Sequence, residues 1–189
     1  MEQTRQKIVD GALSLHLEKG IAETSIKDIA ARAEVGIGTV YFHFATYEDV
    51  VRACAVKVSV STRPPTPEIF EGIDSLEGRV ERLVQELFGY YERYHWFDRL
   101  RCEREKLAIV AEGVARRERA IQAMVQEAVH PLAPEEAVVQ TMVALTDFSV
   151  WKTLSVNAMS TPEAARRVSE VLLAWIQSEP TFGSQMPTE

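Results

Sequence analysis

The stretch that decides the fold of this chain is TSIKDIAARAEVGIGTVYFHF, which runs from Thr24 to Phe44. At its start, the side-chain oxygen of Thr24 or Ser25 can accept a hydrogen bond from the free backbone amides of a first helical turn. Asp28 stands three residues after Ser25, where a carboxylate completes a capping box. The sequence therefore predicts that a helix begins at this point.

Two glycines later in the stretch predict a tight turn between two helices. The first helix carries an apolar stripe at helical spacing, which consists of Ile26, Ile29, Ala30 and Ala33. Gly36 and Gly38 bracket the turn, where glycine supplies backbone freedom and lets the main chain approach a neighbour closely. A short helix follows, polar at its start and aromatic at its end. This is the layout of a helix-turn-helix, in which one helix braces while the other enters the major groove of DNA.

Two segments of the stretch closely resemble the DNA-binding domain of TetR-type transcriptional regulators. They are KDIA, residues 27–30, and VGIGTVYFHF, residues 35–44. The resemblance covers about the first quarter of the chain, from the helix around Ile8 to the helix that starts near Thr46. Beyond it, only the length and the helical pattern are similar to the ligand-binding domain of that family. The resemblance implies an all-α fold, with an amino-terminal three-helix helix-turn-helix domain followed by a helical ligand-binding and dimerisation domain.

The resemblance also implies roles for individual residues at the DNA. Thr24 and Ser25 correspond to phosphate contacts at the start of the second helix, and Tyr41 and His43 to backbone contacts at the end of the third. Such contacts fix position without reading sequence. The segment 36–39 occupies the positions nearest the base edges. The full set of implied DNA-contact residues is Thr24, Ser25, Gly36, Ile37, Gly38, Thr39, Tyr41, Phe42, His43 and Tyr47.

Two residues of this set depart from the family pattern. Ile37 stands where many relatives carry Lys or another polar reader, so it can contact a thymine methyl but cannot hydrogen-bond to guanine. Tyr47 stands where the family commonly has a Lys that meets a phosphate, and a phenol donates one hydrogen bond without charge. Both departures are expected to lower the electrostatic part of the affinity for DNA.

The charge of the chain leads to the same expectation. The 189 residues carry a net charge of −7, and residues 1–52 contain six basic and eight acidic side chains, which leaves −2. A nucleic-acid-binding domain usually has a basic surface. We therefore expect binding through local cations such as Arg5 and Lys27 and through hydroxyls, with a shallow dependence on salt. The alternative is a helix-turn-helix fold that binds DNA poorly.

Composition and motifs argue against a membrane protein, a redox protein and an enzyme. No apolar run reaches the length of a membrane span and the amino terminus lacks the apolar core of a signal peptide, so we expect a cytoplasmic protein with no membrane partner. Cys54 and Cys102 are far apart and are expected to be buried, reduced thiols, with a redox role as the alternative. The sequence contains no nucleophile elbow, P-loop or dinucleotide motif, so we expect no enzyme and no cofactor.

The four histidines are scattered without metal-ligand spacing, so no metal site is expected. His16 occupies a position where the resembling family usually has a buried aromatic residue. The alternatives for His16 are a hydrogen-bonded core residue and a slight loosening of the first helix.

The predicted organisation has four parts. Residues 1–48 form the helix-turn-helix domain, and residues 49–67 form a connecting helix and a proline-rich linker. Residues 68–178 form the helical effector-binding and dimerisation domain, and residues 179–189 form a flexible tail. Within the larger domain, one helix begins near Ser75 and a later one is predicted to run without interruption past Val139 and Leu154.

Aromatic residues are concentrated between Phe88 and Phe97. Their spacing fits either core packing at a helix corner or the wall of an apolar ligand cavity between helices, and the resemblance favours the cavity. Asp147 lies inside an apolar run, where an unpaired carboxylate is costly. It either recognises a ligand or makes a hydrogen bond at a subunit interface or to a nearby helix. The candidate pocket residues are Phe88, Tyr91, Tyr94, Trp96, Phe97, Leu100, Met124, Asp147, Phe148 and Trp151.

The last two predicted helices carry more apolar surface than a lone surface helix needs. Two such helices per subunit can pack against their copies as a four-helix interface, which is similar to the way the resembling family dimerises. The candidate dimer-interface residues are Val138, Leu145, Val168, Leu172 and Trp175.

Together these expectations describe a homodimeric, ligand-responsive regulator that binds double-stranded DNA. The resemblance implies a repressor that a small apolar or amphipathic effector releases from a palindromic operator. The coupling would be a shift between two states with different affinity for the effector. The alternative is a dimeric helical scaffold or interaction protein with no effector and a weakened DNA surface.

Overall fold

A computed structural model describes residues 1–95, 97–132, 134–156 and 159–178, with the backbone alone at Phe97. All regular structure in these ranges is helical, which confirms the predicted all-α class. None of the helices in these ranges is both long and apolar enough to cross a membrane. The predicted tail, residues 179–189, lies outside the described residues.

Ten α-helices are present in the described ranges, and two short 3-10 turns, Pro67–Phe70 and His130–Leu132, lie between them. The helices are α1 (Glu2–Lys19), α2 (Ile26–Arg32), α3 (Ile37–His43), α4 (Tyr47–Thr62), α5 (Leu76–Arg93), α6 (Phe97–Glu103), α7 (Ala108–Val129), α8 (Glu136–Leu145), α9 (Phe148–Val156) and α10 (Thr161–Ser178).

Residue contacts divide the chain into two compact units. The first unit contains Met1–Arg63 and His95–Arg116, and the second contains Pro64–Tyr94 and the chain from Arg117 onward. The division after Arg63 falls at the predicted proline-rich linker. It differs from the predicted boundaries in two respects, because the connecting helix α4 and the segment around α6 both group with the helix-turn-helix.

Capping boxes are formed at the starts of α2 and α4. The Ser25 hydroxyl accepts a hydrogen bond from Asp28 N at 3.2 Å, and the Asp28 carboxylate accepts one from Ser25 N at 3.0 Å. Thr46 and Asp49 repeat this arrangement at the start of α4, with distances of 3.2 and 3.0 Å. Because each box satisfies amides that a helix start leaves free, the starts of α2 and α4 were predictable from local sequence.

In the turn between α2 and α3, the residue with a positive φ is not the one that the sequence predicts. The residue with left-handed backbone is Glu34, at φ 56°, whereas Gly36 has φ −70° and serves as the N-cap of α3. The expectation that Gly36 supplies the backbone freedom of this turn is therefore wrong, because any residue can adopt its φ. A non-glycine residue carries the left-handed conformation instead, which is sterically unfavourable for a side chain with a Cβ.

The helices α1, α2, α3 and α4 share one core, which contains side chains with no solvent exposure. These residues are Ile8, Ala12, Ile29, Val40 and Val50. Burying a side chain the size of Ile or Val contributes about 1.5–3 kcal/mol. A helix of seven residues such as α2 or α3 is not stable alone in water, so this core holds both in place.

The second unit is organised around the pairing of α5 with α10. Leu83 and Leu87 of α5, and Leu172 and Ile176 of α10, are at most 2% exposed. As predicted, α5 begins near Ser75. Ser75 is its N-cap, and the Ser75 hydroxyl accepts a hydrogen bond from Gly78 N at 3.2 Å.

The uninterrupted helix predicted past Val139 and Leu154 is wrong, because the structure breaks it between α8 and α9. The Asp147 carboxylate accepts hydrogen bonds from the backbone amide and the hydroxyl of Ser149, at 2.9 and 2.6 Å. Thr146 is fully buried, and its carbonyl oxygen accepts a hydrogen bond from the Tyr91 hydroxyl at 3.1 Å. The break is therefore stabilised from both sides, since Asp147 bonds the first turn of α9 and Tyr91 satisfies a carbonyl at the end of α8.

Replacing Glu34 with Gly should raise the free energy of unfolding by about 1 kcal/mol, because glycine adopts positive φ without steric cost. Urea unfolding of the full chain, followed by circular dichroism, measures this change. Glu34→Ala is the matched control, since it removes the same charge but keeps the Cβ and should bring no gain. An equal gain in both variants would mean that charge, and not backbone strain, limits stability at this turn.

Candidate functional site

The outer face of α3 is centred on Gly38 and Phe42. Val40 is completely buried, and residues two positions before and after it lie on the opposite side of a helix. Phe42 is 73% exposed, a large value for a phenyl ring, and Gly38 is exposed as well. Burial of Val40 therefore presents this face to solvent.

The two sides of this face differ in chemistry. Ile37 and Tyr41 lie on one side and are 46% and 53% exposed. Thr39 and His43 lie on the other side and are half-buried. The face thus has an apolar edge and a hydrogen-bonding edge, and the helix contains no Lys, Arg, Asp or Glu.

Gly38 is not needed by the fold of the protein. A Cβ built on Gly38 meets no atom within 4 Å, and the backbone there is helical. Gly20 is a contrasting case, since its φ is 98° and an added Cβ would collide with the Glu103 carboxylate. The open space at Gly38 leaves room for another molecule to approach the backbone of α3.

Thr24 and Ser25, the two hydroxyls at the start of α2, point in different directions. Thr24 is 6% exposed and its hydroxyl donates a hydrogen bond to Gly20 O at 2.7 Å. Ser25 is exposed and its hydroxyl donates to the Asp28 carboxylate at 2.7 Å. Of the two predicted phosphate contacts, only Ser25 reaches the surface in this structure.

Tyr47 is turned into the first unit and does not offer its hydroxyl proton to solvent. That hydroxyl donates to Ile21 O at 2.6 Å, so the His16 ring, whose Nε2 is 3.0 Å away, must donate to the tyrosine oxygen. His16 is 6% exposed and is thus a hydrogen-bonded core residue, one of its two predicted alternatives. Burial lowers the pKa of His16 from 6.5 to about 4, so the ring is neutral at pH 7.

Several cations of the first unit form ion pairs with neighbouring acids. Three ion pairs join Lys19 to Asp28, Arg32 to Glu18 and Arg52 to Asp49, at 2.8, 2.6 and 3.1 Å, and a fourth joins Lys57 to Asp10. Hydrogen bonds from Arg32 lower the pKa of the Glu18 carboxyl to about 2. Within the described part of the chain, no acidic side chain lies within ion-pair distance of Lys27, which is exposed.

A concavity of about 360 Å³ lies at the carboxyl end of α3. Arg5 stacks over the Phe44 ring, with 4.9 Å from its guanidinium carbon to the ring centre, and Arg52 and His43 also line the concavity. Arg52 was absent from the predicted contact set. Its position early in α4, which follows closely after α3 in the chain, was the available sequence signal. The lining residues are Arg5, His43, Phe44, Ala45, Asp49, Arg52, Ala53 and Val56.

The segment containing α6 is held in the first unit by two side chains that sequence reasoning missed. Glu103, 7% exposed, accepts a hydrogen bond from Ile21 N at 2.9 Å. Arg99 donates to Leu17 O and to His16 O, among the last carbonyls of α1. Because these partners are more than 80 residues apart in sequence, no local pattern indicates the contacts.

Four of the predicted pocket residues form a closed aromatic cluster in the second unit. Tyr91 meets Phe148 edge-on with ring centres 5.5 Å apart, and Phe148 lies 5.3 Å from Trp151. Phe88 lies 6.1 Å from Tyr91. Phe88, Tyr91 and Phe148 are at most 1% exposed, so their rings fill the space between α5 and α9. This cluster is therefore packed as a core.

A chain of hydrogen bonds fixes one edge of the cluster. The Trp151 indole N–H donates to the Thr161 hydroxyl at 3.2 Å, and that hydroxyl donates to the Glu92 carboxylate at 2.8 Å. Beside it, Tyr90 and Tyr94 stack with ring centres 5.8 Å apart, and Arg117 lies over both rings at 4.6 and 4.4 Å. The predicted pocket set contains neither Arg117 nor Tyr90.

The other predicted pocket residues are placed differently. Leu100 belongs to α6 and to the first unit, and Met124 is 4% exposed in α7. Asp147 bonds the first turn of α9, which accounts for a carboxylate inside an apolar run. Trp96 and the side chain of Phe97 lie outside the described residues.

The predicted dimer residues do not share one exposed face. Leu172 is completely buried within the protomer, so it leaves no surface for a partner, and Val138 and Val168 are at most 9% exposed. Leu145 and Trp175 are half-buried. The side of α10 that reaches solvent carries Val171, at 58% exposure, which the prediction left out.

The fold and this site define a helix-turn-helix protein with a separate helical unit. Residues 8–54 match the sequence profile of the bacterial regulatory proteins of the tetR family. The amino-terminal domain of the chain is therefore similar to the DNA-binding domain of the TetR family, as its sequence predicts.

Two kinds of similarity accompany this match. The repressor Rv3405c of Mycobacterium tuberculosis (strain ATCC 25618 / H37Rv) is 44% identical over 52 residues, which are 28% of this chain and 28% of that protein. The curated relatives are named as regulators, and the matched part spans about a quarter of the length of the first of them.

Similarity over nearly the whole chain appears in solved structures. SmeT in complex with triclosan has a TM-score of 0.64 at 19% identity, covering 99% of this chain and 96% of SmeT. FadR of Bacillus subtilis in complex with stearoyl-CoA has a TM-score of 0.60 at 18% identity, covering 89% and 97%. At these identities the likeness establishes the fold of both units.

The neutral, buried state of His16 predicts that acid destabilises the first unit. Between the folded pKa near 4 and the unfolded value of 6.5, the unfolded chain binds a proton that the folded chain does not. The contribution of neutral His16 to the free energy of unfolding is therefore complete above pH 6.5 and is lost as the pH falls toward 4.

His16→Gln keeps a donor for Tyr47 and cannot titrate. Between about pH 7.5 and about pH 5.8, wild type should lose about 1 kcal/mol more free energy of unfolding than this variant, by urea titration. The lower pH stays above the sequence pI of 5.2. Equal losses in the two proteins would contradict the assignment of His16.

Proposed function

We propose that this protein is a homodimeric transcriptional regulator that binds a palindromic DNA operator and is released from it by a small apolar or amphipathic effector. The observation that carries the proposal is the outward face of α3, which is exposed, free of charge and open at Gly38. In this proposal the protein binds other molecules and catalyses no reaction. It acts in the cytoplasm.

The DNA-binding part of the proposal depends on how α3 is held. The closed core beneath Val40 keeps the helix rigid, and α2 braces it, as docking into a major groove requires. Ser25, Tyr41 and His43 are proposed to contact phosphates, and segment 36–39 is proposed to lie nearest the bases. Lys27 and Arg5 add local positive charge on the same unit.

The effector part depends on the aromatic cluster of the second unit. SmeT binds triclosan and FadR binds stearoyl-CoA, as their structures are described, and both molecules have large apolar parts. An effector of this kind would pass between the rings of Tyr91, Phe148 and Trp151. Because these rings fill the space at rest, the effector must push them apart, and its binding energy then favours a second state of the protein.

Coupling between effector and DNA is proposed to run through the segment around α6. This segment is bonded to the end of α1 by Arg99 and to Ile21 by Glu103. It is also continuous in sequence with Tyr94 at one end and Arg117 at the other, both of which lie beside the aromatic cluster. A shift of those residues on effector binding would pull on α1.

The dimer is proposed to use the solvent-facing sides of α8 and α10. With Leu172 turned inward, the candidate contacts become Leu145, Val171 and Trp175. Two copies joined in this way present two α3 helices, and a two-fold dimer reads a palindromic site.

The scaffold alternative is favoured by one observation, the pairing of four cations of the first unit with acids. Selection of bound duplexes from a random library separates the alternatives. A regulator enriches one palindromic sequence, whereas a scaffold enriches none.

Gly38→Ala tests the use of α3 against the selected operator. The added methyl has open space in the free protein and favours the helix, so thermal stability should be equal or higher. Operator affinity should fall about tenfold or more, because the methyl occupies the space through which DNA approaches.

Gly113→Ala is the matched control for this change. Gly113 also lies in a helix, and its added Cβ likewise meets no atom within 4 Å. It should leave operator affinity unchanged. Normal operator binding by Gly38→Ala would contradict the proposed docking of α3.

Glu103→Ala tests the proposed coupling between effector binding and DNA release through the segment around α6. Triclosan, stearoyl-CoA and similar apolar molecules are first screened for a rise in melting temperature. With a molecule that stabilises the protein, Glu103→Ala should bind it normally but need about tenfold more of it to release DNA, because the bond to Ile21 N is lost. Glu103→Gln retains an acceptor oxygen and is the control. Unchanged release by Glu103→Ala would rule out this route.

A further inference from the structure

We infer that Ile37 recognises the C5 methyl group of a thymine in each half of the operator. This inference rests on the proposed DNA-binding function and deepens it, since it names the chemical group that the recognition helix reads. The juxtaposition that carries it is an exposed isoleucine between two glycines at the start of a helix with no charged reader.

The residues of α3 exclude the usual side-chain readers of the other bases. Guanine is read by Arg or Lys, adenine by Asn or Gln, and cytosine by Asp or Glu. The helix, IGTVYFH, contains none of these six residue types. Thymine is the base that also presents a methyl group in the major groove, and an apolar side chain recognises that group by contact. Apolar readout is therefore the specific contact that this helix is best equipped to make.

Ile37 has the position that such readout requires. It is the first residue of α3, and the amino-terminal part of a recognition helix contacts the base edges. Its side chain is 46% exposed although it is large and apolar, and the core position one turn later is filled by Val40. The fold therefore leaves a substantial apolar surface on Ile37 uncovered.

The neighbours of Ile37 leave its side chain accessible. Gly36 and Gly38 flank it and carry no side chain, and a Cβ at Gly38 would stand in open space. A base edge can thus approach the backbone and meet the isoleucine from the side. Because isoleucine is branched at Cβ, its χ1 rotamer is restricted and its methyl groups are held in a defined direction. Little side-chain entropy is lost on contact.

The alternative reader on the same helix is Thr39, which also carries a methyl group. It lies on the hydrogen-bonding edge beside His43 and is half-buried, whereas Ile37 is on the apolar edge with Tyr41. Any experiment must therefore separate these two side chains.

Deoxyuridine provides a test at the level of one methyl group. In duplexes of the selected operator, each thymine is replaced in turn by deoxyuridine, symmetrically in both half-sites. This change removes the methyl and keeps every hydrogen-bonding group of the base. Dissociation constants of the full chain are measured for every duplex at one salt concentration.

Wild type should lose affinity at one thymine position per half-site. A buried methyl corresponds to about fourfold in affinity, so the two half-sites together predict about tenfold or somewhat more. With Ile37→Ala, the same replacement should change affinity less than about twofold. Thr39→Ser removes the other methyl, keeps the hydroxyl and should retain the full wild-type sensitivity.

Three results would overturn the inference. They are an operator without any methyl-sensitive thymine, full sensitivity in Ile37→Ala, and loss of sensitivity in Thr39→Ser with sensitivity kept in Ile37→Ala. If Ile37→Ala binds too weakly to measure, all proteins and duplexes are compared at a lower salt concentration, where phosphate contacts restore measurable affinity.

Failure of the proposed function gives a different result. In that case the library selection enriches no sequence, and Ile37 has no base to read. If an operator is enriched but no thymine in it is methyl-sensitive, the DNA-binding function stands and only the role of Ile37 is wrong.

Discussion

Burial of Val40 is the constraint on which the functional surface of the first unit depends. A helix of seven residues has too few internal hydrogen bonds to persist alone, so its position comes entirely from packing. One fully buried side chain, set against Ile8, Ile29 and Val50 in the same core, fixes how α3 is rotated about its axis. That rotation then determines that Gly38 and Phe42 face outward.

Acidic side chains have a structural role in this unit, whose residues 1–52 carry a net charge of −2. Asp28 and Asp49 complete capping boxes, and the same two carboxylates hold Lys19 and Arg52. Hydrogen bonds from Lys19 and Ser25 hold the pKa of Asp28 well below its usual range. The acids that define the helix starts thus also neutralise two cations of this unit, Lys19 and Arg52.

The second unit uses its polar groups to hold an aromatic core in one arrangement. Tyr91 bonds the carbonyl of Thr146 at the helix break, and Trp151 reaches Glu92 through Thr161. A closed cluster with hydrogen bonds at its edges has few intermediate packings.

Local sequence was sufficient for the helical class, for both capping boxes and for the order of the helix-turn-helix, because those features depend on residues within one or two turns. It was insufficient for the break at Thr146, for the left-handed Glu34 and for the inward orientation of Thr24, Tyr47 and Leu172. Each of these depends on a partner distant in sequence or on the packing of neighbouring elements, as Tyr91 does for Thr146. The sequence by itself therefore determined the helical class and where the helix-turn-helix lies, since hydrogen bonds and periodicity are local. Only the tertiary structure decided which side chains face outward, since burial is a property of contacts between elements.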